Sequence, residues 1–177
     1  LDYFYKDPER WGYLFQMNAF ITRSKLIDKY KLTNTILMER SVYSDRYVFA
    51  KNCYEKGLIT SIEWDTYINW FEWLSDMLEL SGDAYIYLRT SPQKSYERII
   101  KRNREEEAQI SLEYISEIHN KHELWLNKKQ DNILILDGDI ENSQERLENF
   151  SAKILEFMET LLSKKQNIES LKPIEEP

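Results

Sequence analysis

Stretches in which apolar residues recur every three or four positions alternate in this chain with three short runs of consecutive apolar residues. The first periodic stretch follows Pro8, which suits a first helical turn, and predicts a helix from about Glu9 to Tyr30. Leu32-Thr33-Asn34 reads as a turn and Thr35 to Glu39 as a strand. Val42 to Lys56 is helical in pattern and stops at Gly57. Thr60-Ser-Ile-Glu63 has the form of a capping box, opening a long aromatic-rich helix expected to end near Leu80. After a break at Ser81-Gly82-Asp83 comes a second strand, Ala84 to Leu88. Ser91-Pro92 starts a helix to about Asn103, and Arg104 to Gln109 is charged and without a period. Ser111 caps a helix to about Lys128, Ile133 to Leu136 is a third strand, and Asp137-Gly138-Asp139 is a turn. Asn142-Ser-Gln-Glu145 reads as a second capping box, opening a last helix to about Leu162. Ser163 to Pro177 is polar with two prolines and reads as a loose tail, so the expected division is a domain over 1–162 and a tail over 163–177.

Short apolar strands between long helices indicate an α/β fold with a parallel sheet flanked by helices. Three strands are few for such a sheet, which leaves two readings: further strands without a clear pattern, or a fold whose beginning lies before Leu1. The chain opens on Leu1-Asp2-Tyr3-Phe4-Tyr5, with no initiating methionine.

Composition narrows the classes. At 177 residues one domain with a sizeable core is expected. A net charge of −7 argues against a general affinity for nucleic acid or anionic membranes. No apolar run approaches a membrane span, and no signal-like segment opens the chain. Cys53 is the only cysteine, so no intrachain disulfide forms and a reducing compartment fits.

The chemistry-bearing residues gather in four places. The first strand stops at Glu39-Arg40-Ser41 and turns at once into a helix. Carboxyl ends of parallel strands are where ligands sit, and a half-buried acid and cation must be paired or occupied there. This points to a site facing phosphate and metal. On the first helix Gln16, Ala19, Phe20 and Arg23 share one face at i, i+3, i+4 and i+7. A Gln amide donates and accepts at once, as a nucleobase edge requires. The same face also reads as a solvated polar stripe. Asp45 and Phe49, at i and i+4, suit an ion pair with Arg23 across a cleft and a stack on a flat ligand, or else a surface acid and a core ring. Arg98, Lys101, Arg102 and Arg104 precede Glu105-Glu106-Glu107 where the helical period is lost. They read as a phosphate-gripping lid or as a solvated helix end. His119 and His122 match no metal-binding spacing and read as structural. The stripe Trp64, Tyr67, Ile68, Phe71, Leu74 and Leu78 reads as core or subunit interface.

Taken together, the chain resembles the deoxyribonucleoside kinases, the salvage enzymes that phosphorylate the 5′-hydroxyl of deoxynucleosides. The segments carrying the resemblance are Pro8-Glu-Arg-Trp11, Phe15-Gln16, Glu39-Arg-Ser-Val-Tyr-Ser-Asp-Arg-Tyr47, Tyr87-Leu-Arg-Thr-Ser-Pro92, Arg102-x-Arg104-x-Glu-Glu107 and His119-x-x-His-Glu-x-Trp-Leu126, in order over roughly Leu1 to Asp139. The resemblance implies a phosphate-loop kinase fold, Mg²⁺, ATP or another nucleoside triphosphate as donor, and a homodimer through aromatic helices such as Trp64–Leu78. It implies that Gln16 bonds the base while Phe15 and Phe49 pack on its ring, and that Tyr5 and Glu107 hold the sugar 3′-hydroxyl. Arg40 would orient the 5′-oxygen end, Glu39 would face the magnesium, and Arg98, Arg102 and Arg104 would form the lid. Asp137, Asp139 and Glu141 would lie near the donor's adenine. Ala19, Arg23 and Asp45 resemble the deoxycytidine/deoxyguanosine kinase pattern, which implies deoxycytidine, deoxyadenosine or deoxyguanosine over thymidine. The segment Tyr87–Pro92 is closer to the thymidine-accepting branch.

The family's Gly-x-x-x-x-Gly-Lys-Ser/Thr loop has no match: none of the four glycines is followed by Lys-Ser or Lys-Thr. The resemblance places that loop, the carboxylate that takes the 5′-hydroxyl proton and two further strands before Leu1. The expectation is therefore part of a larger active kinase, the 177 residues alone being inactive, in the cytoplasm or, with an address before Leu1, the mitochondrion. The other readings are a non-catalytic relative, such as the subunit of respiratory complex I that resembles this family, and a nucleoside monophosphate kinase. The latter would need further cations for its acceptor phosphate.

Overall fold

A computed structural model describes residues 2–30, 35–82, 84–127 and 132–170. The turn expected at 32–34, the break at Asp83, the end of a helix at Lys128 and the tail beyond 170 lie outside the described residues. The chain forms two compact units, Leu1–Gly82 with Pro92–Lys128, and Asp83–Ser91 with Lys129–Pro177.

The first unit is helical. A short α1 (Asp2–Lys6), which periodicity did not predict, precedes the long α2 (Pro8–Tyr30). A capping box between Ser41 and Ser44 opens α3 (Val42–Ser44), which runs through a π-helical segment, Asp45–Ala50, into α4 (Lys51–Glu55). The chain leaves α4 at Gly57, whose φ of 74° is left-handed and favours glycine. Thr60 and Glu63 form the expected reciprocal capping box, and α5 (Ser61–Met77) follows. It ends at Met77 instead of near Leu80. Later in the chain come α6 (Pro92–Arg102), a 3₁₀ turn at Glu105–Glu107, and α7 (Leu112–Leu126) capped by Ser111 as expected.

The core joins α2, α3, the π segment and α5. Phe20, Val42, Ala50, Tyr67, Phe71 and Leu80 are buried together, with Trp64, Ile68, Leu74 and Leu78 packed against them. Aromatic rings run through it: Tyr54 stacks on Trp64 at 4.8 Å, and Phe20 meets Phe71 at 5.3 Å. The stripe on α5 is thus core on one side, while Trp70 and Trp73 on the other side are about half exposed, at 46% and 54%.

In the second unit β1 (Tyr85–Arg89) and β2 (Ile133–Asp137) pair in parallel, Tyr85 opposite Ile133 and Arg89 opposite Asp137. α8 (Gln144–Ser170) follows. Its cap is Ser143, whose hydroxyl accepts from the Arg146 amide, while Asn142 receives the Arg146 guanidinium. The helix runs past Leu162 because nothing in 163–170 breaks it; Lys and Gln are good helix formers and the first proline is Pro173.

One expected strand is absent. Residues 35–38 take no regular structure, and Leu37 is 81% exposed. An apolar run becomes a strand only when neighbouring backbone completes its ladder. Among the described residues β1 and β2 form that ladder with each other alone.

Candidate active site

Gln16, Ala19, Phe20 and Arg23 descend α2 as the periodicity requires. Phe20 is turned wholly into the core, and Gln16 is buried at 3% exposure, although its amide is polar. A buried amide needs partners. Its Nε2 donates to the Cys53 sulfur at 3.5 Å. Phe15, next to it, stacks on Phe4 of α1 at 4.9 Å, and Phe4 in turn lies 5.5 Å from Tyr5. Ala19 is half-buried between Gln16 and Arg23 on the helix.

Two turns along, Arg23 crosses to the π segment. Its Nε donates to Asp45 Oδ2 at 2.7 Å, its Nη2 to Oδ1 at 3.5 Å, and its Nη1 to the Glu39 carbonyl at 2.7 Å. The Asp45 side chain is 3% exposed and that of Arg23 19%. Burial pushes the Asp45 carboxyl above its ordinary value, against the Arg23 hydrogen bond and charge and the charge of Arg40. The ion pair suggested by the sequence is therefore real, and it also ties down the backbone at Glu39.

The π segment explains how one helix reaches α2 twice. On a straight α-helix, residues eight apart such as Asp45 and Cys53 would lie about 80° apart around the axis. A π turn takes more residues per turn. It draws both back to the side facing α2, where Asp45 meets Arg23 and Cys53 meets Gln16.

Glu39 and Arg40 sit exposed in the bend before Ser41. Arg40 has a φ of 64°, a left-handed backbone that costs a non-glycine residue energy and that clusters at functional sites. That bend lays its guanidinium 4.4 Å over the Phe49 ring. The same ring meets His122 of α7 edge to face at 5.9 Å. His122 Nδ1 bonds the Ile118 carbonyl, and its imidazole titrates below the ordinary value of 6.5, chiefly through burial. Pattern alone had assigned this histidine nothing beyond structure; its place behind Phe49 had no signature in the sequence. On the same helix, burial pushes the Tyr114 phenol up, with Tyr5 and Cys53 adding to the shift and Arg40 opposing it.

The arginine run lies at the end of α6, where Asn103 turns left-handed at φ 50°. Arg102 grips Glu107 with Nε and Nη2 at 2.7–3.0 Å, and Arg104 Nη1 approaches it at 3.7 Å. Arg98 is half-buried on α6, one turn before Arg102. Glu107 is thus engaged by the arginines instead of standing open to a sugar hydroxyl.

In the second unit, Asp137 and Asp139 shape the turn after β2. Asp137 accepts from the Asp139 amide at 2.9 Å, and Asp139 accepts from the Ser91 amide at 2.7 Å. Between them Gly138 donates to the Arg89 carbonyl at 2.7 Å. A Cβ there would lie 2.1 Å from the Thr90 hydroxyl and 2.9 Å from that carbonyl, so only glycine fits. Glu141, just beyond, is exposed.

Among the described residues no three His, Cys, Asp or Glu side chains converge as a metal cage. A lone exposed carboxylate such as Glu39 suits Mg²⁺, which takes one or two carboxylates and completes its shell with water and phosphate oxygens. Among the described residues no helix is long and apolar enough to cross a membrane.

Comparison with known proteins identifies the family. The model of the deoxynucleoside kinase family matches residues 1–163. A probable deoxycytidine kinase of fowlpox virus is 37% identical over 170 residues, covering 91% of this chain and 72% of that protein. Deoxycytidine kinase 2 of Gallus gallus is 40% identical over 179 residues, 89% of this chain and 68% of its own length. The mitochondrial thymidine kinase 2 of Homo sapiens is 39% identical over 124 residues, 70% of this chain and 47% of its own length. The chain belongs to the deoxynucleoside kinase family of ATP-dependent phosphotransferases.

Proposed function

We propose that this protein moves the γ-phosphate of ATP to the 5′-hydroxyl of a deoxynucleoside in nucleotide salvage, favouring deoxycytidine, deoxyadenosine or deoxyguanosine over thymidine. The observation that carries the preference is the Arg23–Asp45 pair, in which Arg23, on the same face of α2 as Gln16, holds the buried Asp45 by two hydrogen bonds. Together the three side chains offer donors and acceptors to an amino-bearing base and fill the space a thymine methyl group needs.

In this reading Gln16 bonds the base, Phe15 and Phe49 pack on its ring, and Ala19 leaves room beside it. Tyr5 and Glu107 hold the sugar. Arg40, fixed over Phe49, orients the 5′-oxygen, and Glu39 holds Mg²⁺, which offsets phosphate charge when bound. Arg98, Arg102 and Arg104 close on the phosphates, so Glu107 must exchange its arginine partners for substrate. Asp137, Asp139 and Glu141 face the adenine of ATP. Positioning and charge, more than covalent chemistry, supply the rate in phosphoryl transfer. No glycine here precedes Lys-Ser or Lys-Thr, so the donor phosphates lack a backbone cradle and the 177 residues alone do not turn over. The domain spans 1–162, a second copy docks through the exposed aromatic side of α5, and the free buried thiol of Cys53 suits a reducing compartment such as the cytoplasm.

The test compares initial rates of phosphorylation of deoxycytidine, deoxyadenosine, deoxyguanosine and thymidine by the naturally encoded protein at equal concentrations. The first three should each exceed thymidine; thymidine as the fastest substrate overturns the proposal.

A further inference from the structure

Gln16 is the residue whose orientation matters most if the base is read as proposed above, and the inference here rests on that reading. An amide side chain has two faces of opposite meaning. Turned one way it offers its oxygen where it otherwise offers its N–H, and a base presenting donor then acceptor is exchanged for one presenting acceptor then donor. Which way a buried amide points is fixed by whatever else it bonds.

Among the described residues the hydrogen-bond partner of Gln16 is Cys53, whose sulfur accepts from Nε2 at 3.5 Å. Both groups are sealed from solvent, Gln16 at 3% exposure and Cys53 at 5%. Burial pushes the thiol up to about 11, so the sulfur is a neutral thiol and a weak partner. One amide hydrogen is thereby committed, leaving Oε1 and the second N–H for a ligand. The contact exists because the π segment Asp45–Ala50 re-phases the helix carrying Cys53.

We propose that Cys53 is a positioning residue that sets the amide of Gln16 in one orientation and so makes the base site selective. With the sulfur gone, the amide is free to turn over and match either order of donor and acceptor, so discrimination between amino-bearing bases and thymine narrows.

The naturally encoded protein is compared with Cys53→Ala, Cys53→Ser and Gln16→Ala, measuring kcat and KM for deoxycytidine and thymidine. For Cys53→Ala the ratio of kcat/KM between the two nucleosides should shrink by roughly five- to tenfold, the order of one buried hydrogen bond. The loss should fall on KM more than on kcat, and Cys53→Ser, whose hydroxyl also accepts from the amide, should restore most of it. A ratio unchanged in Cys53→Ala while Gln16→Ala lowers kcat/KM overturns the role of Cys53 and leaves the base-reading role of Gln16 standing. If Gln16→Ala changes neither nucleoside, the base-reading proposal itself fails. Equal loss for both nucleosides in Cys53→Ala, without rescue by serine, marks the thiol as packing only and also overturns the proposal.

Discussion

Two arginine–carboxylate pairs serve the same unit of the molecule in opposite ways. Arg23 and Asp45 meet at 2.7 Å with the carboxylate side chain only 3% exposed. Arg102 and Glu107 meet at the same 2.7 Å, but the arginine side chain is 47% exposed against 19% for Arg23, and Glu107 13% against 3% for Asp45. Distance does not separate them; surroundings do. In the first pair the carboxylate is sealed off and the arginine is only 19% exposed, so water replaces neither partner easily. In the second, water waits beside the arginine, and the bond is exchanged at little cost. In the function proposed above, the first pair gives a fixed surface and the second a clasp that exchanges its partner for phosphate.

The largest effect should come from removing one partner of the fixed pair. Asp45→Ala leaves Arg23 only the Glu39 carbonyl as partner and should cost about 3 kcal/mol of unfolding free energy, read from urea denaturation, with activity lost alongside. A cost as small as that of a surface substitution would mean the pair is no more rigid than the clasp.

Arg40 sharpens the comparison by separating activity from stability. Arg40→Ala removes the cation over Phe49 and should reduce turnover by about a hundredfold. The fold should lose no more than about 1 kcal/mol, the worth of one cation–ring contact. Matching losses in both would make Arg40 a structural residue.

Behind the same ring, His122 titrates below its ordinary value of 6.5. The unfolded chain therefore takes up a proton that the folded one refuses. Stability should fall as pH drops below 6.5 toward the lowered folded value, and stay level above it. His122→Phe keeps an aromatic edge against Phe49 and should flatten that part of the stability–pH curve. An identical slope in the variant would assign the dependence to another group. The smallest effect belongs to the clasp: a double-mutant cycle between Arg102 and Glu107 should give about 0.5 kcal/mol, fading with added salt. A coupling that resists salt would move this pair into the class of the first.

Local signals were legible wherever one residue speaks to another a few positions away. Thr60 and Glu63, Ser111, and the helix-opening Pro8 and Pro92 all stand where the pattern put them. The Arg23–Asp45 pair was legible as well, because both residues interrupt faces that packing alone would make apolar. The strand at 35–39 was not, since an apolar run carries no information on whether its ladder partners are at hand. At the start of α8, Asn142 and Ser143 are both good caps, and geometry chose the second. The π segment left no trace at all: Asp45-Arg-Tyr-Val-Phe-Ala50 has the composition of any amphipathic helix. With it the contact between Gln16 and Cys53, separated by 37 residues, went unseen.

That segment has a consequence for how the gene can change. A π turn amounts to one residue more than an α-helix of the same rise would hold. Were the six residues Asp45–Ala50 to straighten to α with none removed, everything after them would turn by about 100°. Cys53 would leave Gln16, while every side chain of the core would still be encoded. Deleting one codon there would instead leave Asp45 and Cys53 seven residues apart, a spacing that an α-helix sets about 20° apart around its axis, so the same register is kept. The reading frame of the helix, counted in residues and invisible to any one of them, is what the site cannot lose.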